Sequence, residues 1–332
     1  MPAEEDVGAP TGASTKQHRA LSGQRSSPDD EDVGSGATVS SSPSDVRVDP
    51  LTGAVVVVAG GRQGRPDLSA GADPAGCPFC PGGLEAPAPY RTRWFPNRWP
   101  SLPDGRAELL LYTPDHDAPF WSLGVDGAVA VVELWQERTA AQGARPDVSY
   151  VLVFENRGPA VGATVPHSHG QLYAFSFVPE APARELRASS CALCAEPDGS
   201  RRVVTAGGWR AEVPYAPAWP FELRLAPRGH VPDLPSLDAA GVRDLAAVLV
   251  DGLARLDQLF DARLPYMLWW HQRPTDGGDW PLAHLHAHVA PLWRSPGTPR
   301  FVAAGELGSG VFFDPVVPEE AAARLRELPG AS

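Results

Sequence analysis

The sequence predicts an α+β fold, a duplicated unit in which each half is an antiparallel sheet with one long helix. Three observations predict it. Two Cys-x-x-Cys pairs, Cys77/Cys80 and Cys191/Cys194, are each followed by a histidine, His116 and His230, 36 residues after the second cysteine. A histidine-rich segment comes next in each half. His167-Ser168-His169 begins 51 residues after His116, and His284-Leu285-His286-Ala287-His288 begins 54 residues after His230. Between these landmarks each half has one helical pattern followed by a strand pattern. Landmarks that recur in the same order mark a repeat, which places the halves at 45–182 and 183–330.

In chain order, residues 1–44 are rich in Ser, Gly, Pro and acidic residues and hold few large apolar side chains. Such a segment cannot bury enough surface to offset its ordering entropy and reads as a disordered polar tail. Asp45 to Asp49, the turn Leu51-Thr52-Gly53 and the run Val55 to Val58 predict a hairpin. Strand patterns recur at Glu108 to Tyr112, Tyr150 to Glu155 and Gln171 to Val178. A helix is predicted from about Gly127 to Gly143, with Val131, Leu134 and Trp135 on one face. The second half gives strands at Trp209 to Val213, Phe221 to Ala226 and Tyr266 to Trp270. Its helix runs from about Leu237 to Phe260, capped by Ser236 or Asp238, with an apolar stripe of Val242, Leu245, Val248, Leu249, Leu253 and Leu256.

Composition narrows the chemistry. The net charge of −12 argues against a nucleic-acid-binding surface, because phosphate backbones are met by clustered Lys and Arg. No run approaches the roughly 18 apolar residues of a membrane span, and the N-terminus lacks a secretory layout, so a cytoplasmic location is expected. The one lysine, Lys16, lies in the tail. Lysine-based chemistry is thereby excluded, and phosphate contacts fall to Arg, Asn, Gln, His and backbone amides. Cysteine pairs two residues apart in a cytosolic chain point to metal rather than to structural disulfides. A thioredoxin-like role would need a helix starting at the first cysteine, whereas Pro74 and Pro81-Gly82-Gly83 surround Cys77 and Cys80.

Eight of the nine histidines fall at the repeat landmarks. In a strand, residues two apart share a face, so His167, His169 and Gln171 line one surface and His284, His286 and His288 another. A solvated strand with incidental histidines is the plain alternative. Two such rows at matching positions make it the weaker reading.

The segment Val153-Phe154-Glu155-Asn156-Arg157-Gly158, with Gly162 and then Pro166-His167-Ser168-His169-Gly170-Gln171, resembles the galactose-1-phosphate uridylyltransferases of the histidine-triad superfamily. Further matches are Asp49-Pro50-Leu51-Thr52-Gly53, Arg62 and Arg65-Pro66, Cys77/Cys80, Phe95-Pro96-Asn97, Thr113-Pro114-Asp115-His116, Trp219-Pro220-Phe221-Glu222, Trp270-His271 and Leu285-His286-Ala287-His288. The resemblance implies a ping-pong exchange of UMP between UDP-glucose and galactose 1-phosphate through a uridylyl-histidine, with UDP-galactose and glucose 1-phosphate as products. It implies His169 as nucleophile and Gln171 as the amide that orients the phosphoryl oxygens. Arg62, Arg65, Asn97, Asn156, Gly162 and Thr164 match nucleotide-side positions, although the two arginines also read as ordinary surface charges. Arg300, Phe301 and Glu306 match the sugar-phosphate loop.

The same resemblance implies zinc on Cys77, Cys80, His116 and His167, a second divalent metal, zinc or iron, on Glu185, His271, His286 and His288, and a homodimer with active-site contacts across it. From the repeat alone, Cys191, Cys194, His230 and His284 form a further candidate Cys₂His₂ set, the alternative being that the two cysteines are small buried residues. The sequence departs from the pattern at Arg98, where Asp is frequent, at Thr164-Val165, where Ser-Asn is frequent, at Ser168, where Pro is frequent, at Gly305, which replaces an aromatic residue, and at Gly308-Ser309-Gly310, where the family's glutamine has no counterpart. Two rival functions stand beside the transferase. One is a nucleotide-sugar or dinucleoside-polyphosphate phosphorylase using the same histidine; the other is a metal-stabilised nucleotide-binding protein without turnover.

Overall fold

The computed structural model describes residues 45–59, 62, 74–197 and 199–331, so the predicted tail at 1–44 and Arg65 lie outside the described residues. The first half contains β1 (Asp45–Val48), β2 (Val55–Val58), β3 (Arg93–Pro96), β4 (Ala107–Leu111), α1 (Gly124–Gly143), β5 (Tyr150–Arg157) and β6 (His169–Phe175). Helix α2 (Glu180–Leu186) spans the boundary, and the second half contains α3 (Ala192–Ala195), β7 (Arg202–Ala206), β8 (Trp209–Glu212), β9 (Leu223–Pro227), α4 (Ala239–Gln258), β10 (Tyr266–His271) and β11 (His286–Pro291). The short strands β12 (Trp293–Ser295) and β13 (Thr298–Pro299) and the helices α5 (Ala304–Ser309) and α6 (Pro318–Glu327) complete it.

Among the described residues the architecture is α+β, built on one nine-stranded sheet in the order β3-β4-β6-β5-β10-β11-β9-β8-β7. Every pairing in it is antiparallel. The halves meet where β5 pairs with β10, Phe154 opposite Trp269 and Arg157 opposite Tyr266. Outward from this seam each half runs in the same order. The strand after the long helix comes first, the histidine strand second, and the earlier strands outside it. That order is what a duplicated unit requires.

The long helices pack together on one face of the sheet over a core containing Trp135, Trp209, Trp270, Tyr150 and Tyr266. Helix α4 follows the predicted stripe. Val242, Leu245, Val248, Leu249, Leu253 and Leu256 are all buried, and Asp238 caps the helix by accepting the Gly241 amide at 2.7 Å. Helix α1 is less clearly amphipathic because it buries polar groups. Arg138 donates to both oxygens of Glu108 on β4, at 3.0 and 2.8 Å, and lies 3.5 Å over the Trp94 ring.

The structure corrects the predicted strand limits. Strand β6 begins at His169 and ends at Phe175, so His167 stands just before it. The His167 ring is taken up by the Thr113 carbonyl at 2.7 Å, on the loop after β4. Strand β11 likewise starts at His286, with His284 ahead of it. No helix among the described residues is long and apolar enough to cross a membrane.

Glu155 on β5 is buried beneath the histidine strand, where the Tyr266 hydroxyl donates to it at 2.9 Å. Burial pushes its carboxyl up to about 7, against the opposing pull of the Tyr266 hydrogen bond and the Arg157 charge. An unfolded glutamate titrates at about 4.3, so the folded chain holds the extra proton between that pH and about 7. Glu155 therefore lowers stability as pH rises through this window, and its effect is constant above it. Urea midpoints of wild type and Glu155→Gln should converge at acid pH and separate up to about pH 7 in favour of the variant. A separation that does not change with pH contradicts this assignment.

Candidate active site

His169 is placed by strand β6, whose register sets Gln171 opposite Phe154 on one side and Leu109 on the other. His169 and Gln171 share a face, and both are buried. The Gly170 between them points to the opposite face, where an added Cβ would lie 2.0 Å from the Tyr112 hydroxyl, so only glycine fits. The His169 Nδ1 lies 2.7 Å from the His167 carbonyl. A carbonyl only accepts, so the proton is on Nδ1 and the lone pair on Nε2.

The His169 ring lines a cavity of about 220 Å³. Pro78, Phe79, Leu84, Leu109 and Val165 give it apolar walls, and Glu85, Asn97, Arg98, Trp99 and Thr164 add polar groups. Phe79 packs edge-on against His169, with centroids 5.1 Å apart. Of the residues singled out from sequence, Asn97 and Thr164 line this cavity. Asn156 shares a smaller one with His169, Ser168 and Gly158 on the other side. Gly162 takes the left-handed backbone its position requires, φ +86°. Arg62 reaches the Tyr173 hydroxyl at 3.4 Å and lines neither cavity.

The sugar-phosphate loop is elsewhere. Arg300 and Glu306 are buried against each other as an ion pair, Phe301 is exposed, and none of the three lines a cavity at His169. Arg300 Nε and Nη1 are buried without a hydrogen-bond partner among the described residues.

Among the described residues three side-chain sets bring metal-ligand atoms within 4.8 Å of one another: Cys77, Cys80, His116 and His167; Cys191, Cys194, His230 and His284; and Glu185, His271, His286 and His288. Hydrogen bonding tests whether the donors suit a cation. In the first set His167 Nε2–H donates to Thr113 O, which turns the Nδ1 lone pair toward both sulfurs, at 3.7 and 3.6 Å. The second set repeats this, with His284 Nε2–H on the Pro227 carbonyl at 3.0 Å and Nδ1 at 3.2 and 3.4 Å from Cys191 and Cys194. Burial keeps both imidazoles neutral, lowering His167 and bringing His284 down to about 4. Burial also raises the Cys80 thiol to about 11, an environment in which a cation is needed to hold the thiolate.

In the third set burial alone would raise Glu185, but hydrogen bonds and charge from His271 and His286 outweigh it and hold the carboxylate ionised. Glu222 takes the His288 Nδ1–H at 2.8 Å, and Trp269 stacks on the same ring. These supporting residues, like Tyr90 beside His167 and Phe79 beside His169, carry no spacing signal. Only Glu222 and Thr113 fall inside quoted motifs. If the second Cys₂His₂ set binds metal, Cys191→Ser/Cys194→Ser should contain one metal ion fewer per chain than wild type by elemental analysis. An unchanged count removes that site.

A histidine strand beside a Cys₂His₂ set, present twice in one antiparallel sheet, defines a histidine-triad-like α+β protein. The family follows from comparison with known proteins. The model for the N-terminal domain of galactose-1-phosphate uridyl transferase matches residues 98–179, and that for its C-terminal domain matches residues 192–331. The galactose-1-phosphate uridylyltransferase of Thermotoga maritima is 33% identical over 314 residues, covering 85% of this chain and 98% of its own. That of Streptomyces lividans is 35% identical, covering 86% and 87%. A solved uridylyltransferase structure superposes with a TM-score of 0.77 at 30% identity, covering 85% of this chain and 97% of that one. An ADP-glucose phosphorylase from Arabidopsis thaliana with bound ADP-glucose shares the fold, with a TM-score of 0.69 at 22% identity over 86% of this chain and 99% of that one. The chain belongs to the galactose-1-phosphate uridylyltransferase family.

Proposed function

We propose that this chain is a UDP-glucose–hexose-1-phosphate uridylyltransferase that works through a covalent uridylyl-His169. The observation that carries the reading is the His169 ring itself. Its Nδ1–H is anchored on the His167 carbonyl, and the cavity it lines has apolar walls suited to a base. The Nε2 lone pair attacks the α-phosphorus of UDP-glucose, the bond from that phosphorus to the bridging oxygen breaks, and glucose 1-phosphate leaves. Nδ1 keeps its proton throughout, and the His167 carbonyl stabilises the positive charge that develops on the ring. A phosphate oxygen of galactose 1-phosphate then attacks phosphorus, the P–N bond breaks, and UDP-galactose leaves neutral His169 behind. Gln171 donates its amide to the phosphoryl oxygens, and Asn97, Asn156 and Thr164 hold the nucleotide. By the resemblance Arg62, Arg65 and Gly162 would belong to the nucleotide side, although Arg62 lines neither cavity.

The two Cys₂His₂ sets suit zinc, whose role with four protein ligands is to hold loops in place. The Glu185 set suits zinc or iron. The family's use of a dimer accounts for the sugar-phosphate loop, since Arg300, Phe301 and Glu306 would then serve a partner's site. A cytoplasmic location fits the reduced cysteine pairs. Purified protein given UDP-glucose with either galactose 1-phosphate or inorganic phosphate tests the acceptor. UDP-galactose formed with the sugar phosphate is expected. UDP formed with phosphate alone would make the chain a phosphorylase, and turnover with neither acceptor would leave a binding protein.

A further inference from the structure

In the proposed reading the cavity beside His169 has to hold a ribose as well as a base, and its lining includes a carboxylate that could take the sugar's hydroxyls. With the α-phosphorus at His169 and the base among Phe79, Leu84 and Val165, the ribose lies between them. Its two hydroxyls are donors that need acceptors once water is displaced. Asn97 Oδ1 already accepts the Trp99 amide at 2.9 Å, so the Asn97 side chain has donors to offer. Glu85 is the one carboxylate among the lining residues. It stands on the loop that follows the first Cys₂His₂ cysteines and is fixed from both sides. Its amide donates to the Pro78 carbonyl and its own carbonyl accepts from Arg93 Nε, each at 2.9 Å.

Arg98 Nε pairs with Glu85 Oε1 at 2.9 Å, and the carboxylate side chain is only 19% exposed. The pairing keeps a negative group tolerable in a cavity that also receives a diphosphate. A carboxylate that takes ribose hydroxyls is a recurrent device in nucleotide sites, because its two oxygens match donors on neighbouring carbons. We propose that Glu85, held by Arg98, accepts the ribose hydroxyls of the bound nucleotide and makes the site selective for ribonucleotide over deoxyribonucleotide sugars. No other role assigned above uses this residue. The inference rests on the reading of this cavity as the nucleotide site.

The test measures the rate of His169 labelling by UDP-glucose and by 2′-deoxy-UDP-glucose, in wild type, Glu85→Gln and Glu85→Ala. Wild type should prefer the ribose substrate by about 10- to 100-fold, the range for a lost hydrogen bond to a charged group. Glu85→Ala should slow the ribose substrate by loss of both hydrogen bonds, slow the 2′-deoxy substrate less because it has only the 3′-hydroxyl to lose, and so erase the preference. Glu85→Gln, which keeps one acceptor oxygen, should fall between. Equal slowing of both substrates makes Glu85 a purely structural partner of Arg98 and overturns the proposal. So does an undiminished preference in Glu85→Ala. Metal content and melting temperature of the variants guard against a disturbed loop. Failure of wild type to label with either substrate would instead overturn the reading of the site, a distinct result.

Discussion

Replacing His169 by glycine is expected to abolish turnover, with a loss on the order of 10⁶-fold, the size seen when a covalent nucleophile is deleted. The expectation follows from the division of labour at the site. In the proposed reading Gln171, Asn97 and Asn156 would orient phosphate and nucleoside but offer no neutral nucleophile, and no other imidazole lines either cavity at this position except His167, whose ring points to the sulfurs. The variant should still bind UDP-glucose, because the substitution removes one wall of the cavity and leaves the rest. Steady-state rates and equilibrium binding measured on the same preparation check both halves. A variant that turns over within tenfold of wild type would remove His169 from the mechanism.

Loss of the first Cys₂His₂ set is expected to have the next largest effect. Its side chains bring the loop carrying Phe79 and Glu85 together with the loop after β4 and with His167, and the His167 carbonyl in turn holds the His169 Nδ1–H. Zinc-dependent peptides gain about 10–16 kcal/mol of apparent binding energy from such sites. In a chain with its own large core the cost should be confined to these loops. A Cys77→Ser/Cys80→Ser variant should hold fewer metal ions, melt at lower temperature and label at His169 about 10²-fold more slowly. Faster amide exchange around residues 76–92 with the α1/α4 core unaffected would mark the opening as local. Wild-type labelling after loss of the metal would show that this set does not position the nucleophile.

Much of this arrangement was legible in the sequence, because metal-ligand spacing and strand alternation are local and periodic. The four landmarks of each half located both Cys₂His₂ sets, and the apolar stripe of α4 located that helix to within two residues at either end. Cavity walls were less legible. Phe79 and Leu84 come from the loop before β3, Trp99 from the loop after it and Val165 from the loop before β6, and nothing in their spacing says that they converge. The starts of β6 and β11 were displaced for a related reason. His167 and His284 look like strand residues by alternation, yet each donates its Nε2–H to a backbone carbonyl, of Thr113 after β4 or of Pro227 at the end of β9, and turns toward cysteines about ninety residues away. Helix α6 was missed because its buried face is made of Ala321, Ala322 and Leu325, a weak apolar signal among charged neighbours.

Intact-mass spectrometry of the purified chain after brief exposure to UDP-glucose, without acceptor, tests the covalent step most directly. The expected spectrum shows a fraction of the protein heavier by one uridylyl group, lost again on adding galactose 1-phosphate and absent from His169→Gly. A wild-type mass unchanged by the nucleotide sugar, in protein that carries its metals and still exchanges glucose for galactose on UDP, would contradict a histidine-bound intermediate.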